Sequence, residues 1–134
     1  MALAENVRRF LSETRFAVLA TINADGTPQQ TVMWYEVDGD EIVMNTAVGR
    51  LKNSNLRRDP RVSICVEDGY AFVTLTGRAH LIDDQPTAQA DIRRLAIRYH
   101  GAEEGNRQAE TQFSQQQRVT IRVPVERVVA RDVP

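Results

Sequence analysis

Arg50 and Lys52 are two basic residues that follow a strand-like run and a glycine turn, two positions apart. The stretch NTAVGRLKNSN leads from that run into a short polar segment with helical character, so both side chains lie where a helix begins. Exposed backbone N–H groups and the helix dipole attract anions at such a position. A guanidinium binds phosphate in bidentate geometry, and an ammonium adds a mobile point charge. With donors from Thr46 and Asn53 this pattern predicts a phosphate site; a solvated helix face is the alternative.

Lys52 is the only lysine, because sixteen of the seventeen basic residues are arginines. A GC-rich genome explains this bias without any structural cause, since arginine codons are richer in G and C. A lysine kept within the phosphate-type motif is consistent with a specific role, although a single surviving lysine could also be chance.

The residues of the usual catalytic motifs are missing. His80 and His100 are the only histidines, and Cys65 is the only cysteine. Their spacing predicts no metal site, and Cys65 is expected to be a buried, inert thiol within an apolar strand. No nucleophile elbow, Walker motif or Rossmann glycine pattern is present. An enzyme of this sequence would therefore take its reactivity from a bound cofactor.

Length and charge narrow the class of protein further. A chain of 134 residues is expected to form one domain. A net charge of −1 gives no field that would attract nucleic acid or an anionic membrane surface. No signal region and no apolar run of ~20 residues can be recognised, so a cytoplasmic protein is expected.

Hydrophobic periodicity predicts a mainly β protein with α decoration. Within the β-rich part, Asp-Gly turns separate three strands that are expected to pair as a meander. Gly77 and Ala79 predict a bend or a close backbone approach. The expected elements are an N-terminal helix over 2–14, a barrel over 16–83, a helix over 86–100, a polar and partly helical connector over 102–117, and one or two closing strands over 118–131 interrupted at Pro124.

The string GRLKNSNLRRDPRVSICV, after DGTPQQTVMWY and EIVMNT, resembles the flavin-binding split-barrel superfamily. This group includes pyridoxamine 5′-phosphate oxidase and the oxidoreductases that use the deazaflavin coenzyme F420. The resemblance runs from about residue 16 to residue 82. It implies a single domain over 1–134 with a six- to seven-stranded split β-barrel. It also implies a homodimer with cofactor grooves at the subunit interface.

The resemblance also assigns roles to residues. The basic pair would hold the cofactor phosphate, the second strand would line the tricyclic ring, and the end of the third strand would lie beside the ring and ribityl chain. The nine candidate cofactor-binding residues are Thr31, Val32, Met33, Trp34, Asn45, Thr46, Arg50, Lys52 and Asn53. Trp34 would either shield the ring or pack at the dimer interface. No catalytic side chain is assigned, because strand alternation turns Tyr35 away from Trp34 and water can supply the proton.

Two departures from the vitamin-processing oxidase bear on the choice of cofactor. Thr31 stands where that oxidase has an arginine for the FMN phosphate, and the chain ends at Pro134 without a longer C-terminal substrate region. Both favour an oxidoreductase that transfers a hydride from reduced coenzyme F420 to a small enone, quinone or bilin acceptor. The alternatives are an FMN-dependent reductase or oxidase and a non-catalytic flavin- or haem-binding carrier. Arg57, Arg58 or Arg78 would bind the anionic tail of the coenzyme or remain solvated.

Overall fold

The computed structural model describes all 134 residues, and its centre is one antiparallel sheet that curls into a half-barrel. The predicted mainly β split barrel with helical decoration is confirmed. The helices are α1 (Glu5–Ser12), α2 (Leu51–Arg58), α3 (Gln85–His100) and α4 (Ala102–Thr111), followed by a 3-10 turn (Phe113–Gln115). The eight strands are β1 (Ala17–Ile22), β2 (Pro28–Met33), β3 (Glu36–Asp38), β4 (Glu41–Ala47), β5 (Arg61–Asp68), β6 (Ala71–Arg78), β7 (His80–Ile82) and β8 (Arg118–Arg131). None of the helices is both long and apolar enough to cross a membrane.

The last strand joins the two halves of the sheet. The strand order is β2-β1-β5-β6-β8-β4-β3, and β7 also pairs with β8. The first half of β8 pairs with β4, and its second half pairs with β6. Pro124 lies near the point where β8 changes partners, and a strand can accept a proline there because its ladder is already interrupted. The closing segment is consequently one strand that continues through Pro124.

The predicted three-stranded meander is wrong. The expected second strand breaks at Trp34 and Tyr35, so that β2 pairs with β1 whereas β3 pairs with β4. Tyr35 is fully buried, and its hydroxyl donates a 2.8 Å hydrogen bond to the carbonyl oxygen of Leu11. Its backbone N–H donates to the hydroxyl of Tyr99 instead of to a strand. These tertiary bonds end β2 and raise the strand count to eight.

Two smaller expectations also differ from the structure. Residues 102–117 are mostly helical, because α4 and the 3-10 turn occupy most of this polar segment. Cys65 is half-buried instead of buried. It lies on β5 between Ile64 and Val66, which point into the core, so alternation turns its thiol outward.

Two apolar clusters stabilise the fold. The larger fills the half-barrel and includes Leu19, Ile64, Leu75 and Ile121, all fully buried. The smaller lies between α3, α4 and the 3-10 turn, and Trp34 packs against it. The smaller cluster therefore ties the break after β2 to the helical pair.

Gly77 provides a stability test of the bend between β6 and β8. The register between these strands shifts at Thr76 and Gly77, so the predicted close approach is confirmed. A Cβ at Gly77 would collide with the carbonyl oxygen of Pro124 and lie 3.0 Å from Cγ1 of Val123. We expect Gly77→Ala to lower the free energy of unfolding by about 1–3 kcal/mol in urea titrations. The control Thr74→Ala, on the same strand, should lose clearly less; equal losses would contradict the close approach.

Candidate functional site

A groove of about 330 Å³ lies between the sheet and the pair of helices α3 and α4. Five of the nine predicted cofactor residues line it, namely Val32, Met33, Trp34, Asn45 and Arg50. The remaining walls come from Ile92, Leu95, Gln108, Gln112, Phe113 and Arg118. The groove thus has an apolar side formed by β2 and α3, and basic and amide side chains at the rest of its wall.

An aromatic stack borders the apolar side. The rings of Trp34 and Tyr99 stack with centroids 5.4 Å apart, and Phe16 stacks on the other side of Tyr99 at 5.5 Å. Phe113 meets Trp34 edge-on at 6.3 Å. The position of Trp34 is therefore fixed by contacts within its own chain. Its indole forms part of the groove wall, where it offers aromatic surface to a planar ligand.

The turn after β4 carries Arg50 to the start of α2. Gly49 has a φ of +98°, a conformation that residues with side chains rarely adopt. The N–H of Val48 donates to the carbonyl oxygen of Gln117, 2.9 Å away, and this bond ties the turn to the segment before β8. The first turn of α2 has no acidic residue and no side-chain cap. The helix N-terminus therefore keeps its positive partial charge.

Lys52 is buried although it bears a charge, with only 7% of its surface exposed. Burial lowers the pKa of its ammonium from the ordinary value, and the positive charges of Arg50 and Arg118 lower this pKa further. Arg50 and Arg118 line the same groove, and Lys52 follows Arg50 by two positions, so the three cations lie close together. Lys52 is not among the residues that line the groove, so its charge would act on a ligand there without direct contact.

The other three predicted residues also lie outside the groove wall. Thr46 is buried in β4, where alternation points it to the face opposite Asn45. Asn53 is buried in the first turn of α2, and its Oδ1 atom has no hydrogen-bond partner. The hydroxyl of Thr31 on β2 is buried and likewise has no partner. Each of these two residues thus has a buried oxygen atom that is free to form a hydrogen bond, Asn53 at the start of α2 and Thr31 on β2.

Arg118 is a groove residue that sequence reasoning missed. It is the first residue of β8, and antiparallel pairing places it opposite Ala47, the last residue of β4. The strand ladder thereby brings a cation from the end of the chain next to the turn that carries Arg50 and Lys52. No local motif surrounds Arg118, so only knowledge of the β4–β8 register would have located it.

Four other side chains that the sequence analysis considered, Arg57, Arg58, Arg78 and Tyr35, lie away from the groove. Arg57 is paired with Asp83, and Arg78 is paired with Glu126. Arg58 donates to the carbonyl oxygen of Ile22 and to Asn55. Tyr35 cannot act as a proton donor in the groove, because burial raises the pKa of its phenol to about 12 and its hydroxyl already bonds to backbone.

Two larger cavities lack the unpaired positive charges that line this groove, because their arginines are bonded to other side chains. One, of about 560 Å³, is lined mostly by glutamines, and its single cation, Arg93, is bonded to Asn106. The other, of about 430 Å³, lies against β1, β5 and β6 and contains arginines that are paired with carboxylates. No cluster of three or more His, Cys, Asp or Glu side chains that could hold a metal ion is present.

The chain is similar to curated and solved proteins over nearly its whole length. It is 28% identical over 129 residues to the F420H(2)-dependent biliverdin reductase of Mycobacterium tuberculosis, covering 95% of this chain and 87% of that protein. A conserved hypothetical protein of the same organism has a solved structure with a TM-score of 0.81 and 30% identity, over 97% of this chain and 85% of that one. A solved F420 reductase superposes with a TM-score of 0.77 and 25% identity, over 95% and 98% of the two chains.

The family assignment rests on the sequence as a whole as well as on these relatives. The family described as pyridoxamine 5′-phosphate oxidase matches residues 3–132, a range that includes all eight strands and every residue that lines the groove. The curled antiparallel sheet and the position of the basic turn after β4 agree with that match. The chain belongs to the pyridoxamine 5′-phosphate oxidase family.

Proposed function

We propose that this protein is an oxidoreductase that uses reduced coenzyme F420 to deliver a hydride to a small electrophilic acceptor of the enone, quinone or bilin type. The observation that carries the proposal is the groove itself. It has an aromatic and apolar wall for a planar ring. Two cations, Arg50 and Arg118, line it for an anionic tail, and the positive charge of Lys52 lies close to both. Two relatives named for F420 chemistry support the deazaflavin over other planar cofactors.

The residues of the groove fit such a cofactor in two respects. Val32, Met33 and Trp34 provide apolar surface where a tricyclic ring would bind. Arg50 is free of any carboxylate partner and lies at the uncapped N-terminus of α2, which suits a phosphate. The bound deazaflavin would supply the hydride. The protein would hold donor and acceptor at short distance in a groove from which water is excluded, an effect worth up to ~7–11 kcal/mol of barrier reduction.

The groove wall contains no carboxylate, histidine or cysteine. Its protonable groups are guanidiniums, which do not release protons near neutral pH. We therefore expect the proton that accompanies the hydride to come from water or from the acceptor itself.

A homodimer is part of the proposal. Val32, Val48 and Leu51 are large apolar residues that are roughly half exposed or more, at 67%, 48% and 56%, and two of them flank the basic turn. Exposed apolar surface beside a ligand groove is typical of an interface between subunits. A second copy placed there would cover the open side of the cofactor.

FMN is the second candidate cofactor, because the chain belongs to the pyridoxamine 5′-phosphate oxidase family. The basic cluster by itself fits either phosphate. A fluorescence-quench titration of the purified apo-protein with coenzyme F420 and, separately, with FMN distinguishes the two. We expect micromolar or tighter binding of F420 and much weaker binding of FMN.

The reverse preference would make the protein an FMN-dependent reductase or oxidase. Binding of F420 with no oxidation of the reduced coenzyme by any enone, quinone or bilin would favour a carrier. Binding of neither cofactor would overturn the proposal. Sedimentation velocity on the same samples tests the dimer, and a monomer that binds F420 normally would contradict that part.

A further inference from the structure

Gln108 lies in the wall of the groove with a hydrogen-bonding atom that the protein does not use. Its Oε1 atom is buried and has no hydrogen-bond partner. The other half-buried glutamines all form side-chain hydrogen bonds; they are Gln29, Gln85, Gln89 and Gln116. A buried carbonyl oxygen without a partner destabilises a folded protein. A ligand that bonds to Gln108 in the groove would explain this exception.

Gln112 places a second amide beside that of Gln108. The two residues are four positions apart, and the backbone N–H of Gln112 donates to the carbonyl oxygen of Gln108 at 2.9 Å. Residues with this helical spacing lie on the same side of a helix. Both line the groove, and Gln112 is exposed. The end of α4 thus brings two neutral amides to one part of the groove wall.

The two glutamines provide the free side-chain hydrogen-bond acceptors of the groove wall. Asn45 is the third amide there, but its Oδ1 accepts from Nε of Arg118 at 2.9 Å and its Nδ2 donates to the carbonyl oxygen of Ala88 at 3.0 Å. The side chains of Arg50, Arg118 and Trp34 can only donate. The remaining wall residues are apolar. An N–H group of a bound molecule can therefore bond to a free side chain only at these glutamines.

The chemistry of the amide defines the group that it would bind. A glutamine amide has a carbonyl acceptor next to an N–H donor, so it pairs at two points with an N–H that lies next to a C=O. Its last side-chain torsion has broad minima, so Oε1 can leave its covered position when such a partner enters. Lactams and imides have this edge. Quinones and simple enones have carbonyl oxygens but no N–H.

We infer that Gln108, with Gln112 beside it, is a specificity-determining residue that binds the lactam or imide edge of a molecule in the groove. This inference rests on the proposed function. Two molecules of that function carry such an edge, because a bilin ends in lactam rings and a deazaflavin has an imide in its pyrimidine ring. A bond to the bilin would select this acceptor over quinones and enones. A bond to the deazaflavin would fix the orientation of its ring.

The test compares ligands with and without the N–H in matched variants. Gln108→Met removes both hydrogen-bonding groups and keeps the length of the side chain. Gln115→Met is the control, since Gln115 lies in the 3-10 turn and does not line the groove. The phosphate-free deazaflavin chromophore and its derivative methylated at the imide nitrogen are titrated by fluorescence. A bilin and a quinone are compared through KM and kcat with reduced F420.

We expect Gln108→Met to raise KM for the bilin at least fivefold with a smaller change in kcat, and to leave KM for the quinone unchanged. If the edge belongs to the cofactor, Gln108→Met will instead weaken binding of the unmethylated chromophore at least fivefold and leave binding of the methylated one unchanged. Gln115→Met should match the wild type in every measurement. The absence of any effect of Gln108→Met on both pairs of ligands would overturn the inference.

Melting temperatures of the apo-proteins separate ligand recognition from a structural role. Gln108→Met should melt at the temperature of the wild type or above it, because the buried Oε1 has no partner to lose. A lower melting temperature, together with equal losses for ligands with and without the N–H, would show a structural role for Gln108. That result would overturn the inference, whereas the cofactor function would stand.

A titration of the apo-protein with the bilin, followed by absorbance, separates the two hypotheses if the wild type binds neither F420 nor FMN. Bilin binding that weakens in Gln108→Met and persists in Gln115→Met would retain the amide site while the oxidoreductase proposal fails. Bilin binding that Gln108→Met leaves unchanged, or no bilin binding at all, would overturn both.

Discussion

Lys52→Met is expected to weaken cofactor binding at least tenfold and, at the same time, to make the apo-protein more stable. The loss of affinity follows because the positive charge of Lys52, close to Arg50 and Arg118, attracts the phosphate without touching it, and a tenfold loss corresponds to ~1.4 kcal/mol. The gain in stability follows because the buried ammonium lies beside Arg50 and Arg118 and has no carboxylate partner. A methionine of similar length removes this repulsion and fills the same space.

The pH dependence provides a second measurement of the same effect. The pKa of Lys52 is lowered in the folded protein, so its charged form is less favourable there than in the unfolded chain. Its penalty is fully present below the folded pKa and is relieved as the pH rises through that pKa toward the ordinary value. The stability gain of Lys52→Met should therefore be larger near pH 7 than at alkaline pH. It should shrink as the pH approaches 10.

Arg57→Met is the matched control for this experiment. Arg57 lies on the same helix as Lys52 but is exposed and paired with Asp83, so its removal should change the affinity for the cofactor less than twofold. Isothermal titration gives the affinities, and urea unfolding gives the stabilities. An affinity of Lys52→Met equal to that of the wild type would remove the phosphate-anchor argument. A less stable apo-protein would show that the ammonium has a structural partner.

Local patterns in the sequence predicted the basic turn because all of its parts are adjacent in the chain. Gly49, Arg50 and Lys52 follow one another at the end of a strand, and the chemistry of a helix N-terminus depends on that short stretch alone. The apolar residues at the end of β2 could be assigned in the same way, through the resemblance to a known family. These predictions used contacts between residues that are near in sequence.

Contacts between distant residues explain what the sequence did not predict. The β propensity of Tyr35 predicts that it belongs to a strand. Its hydrogen bonds to Leu11 and Tyr99 instead break that strand and divide the expected meander. Arg118 reads as an ordinary strand residue, and its role depends on its pairing with Ala47, 71 positions earlier in the chain. Tertiary pairing decides both positions, and neither has a local signal.

Gly105→Ala is the second substitution for which we expect a large effect, because the contact of α4 with α3 decides its outcome. In an exposed helix, replacing glycine by alanine stabilises the protein by about 1 kcal/mol. Gly105 of α4 is instead packed against α3, where a Cβ would lie 2.6 Å from the backbone nitrogen of Ile97 and 2.8 Å from the carbonyl carbon of Ala96. Backbone atoms cannot rotate away as a flexible side chain can. Gly105→Ala should therefore lower the free energy of unfolding by about 2 kcal/mol or more.

Gly105→Ala should also reduce cofactor affinity, because α4 and the 3-10 turn carry Gln108, Gln112 and Phe113 into the groove wall. Urea unfolding and the F420 titration measure the two effects in one preparation. Glu103→Ala, on the exposed side of the same helix, is the control and should change neither quantity appreciably. If Gly105→Ala proved as stable as the wild type but bound cofactor weakly, α4 would have moved away from α3 at little cost. If it gained stability and kept full affinity, the close packing of α3 and α4 would not support the groove wall.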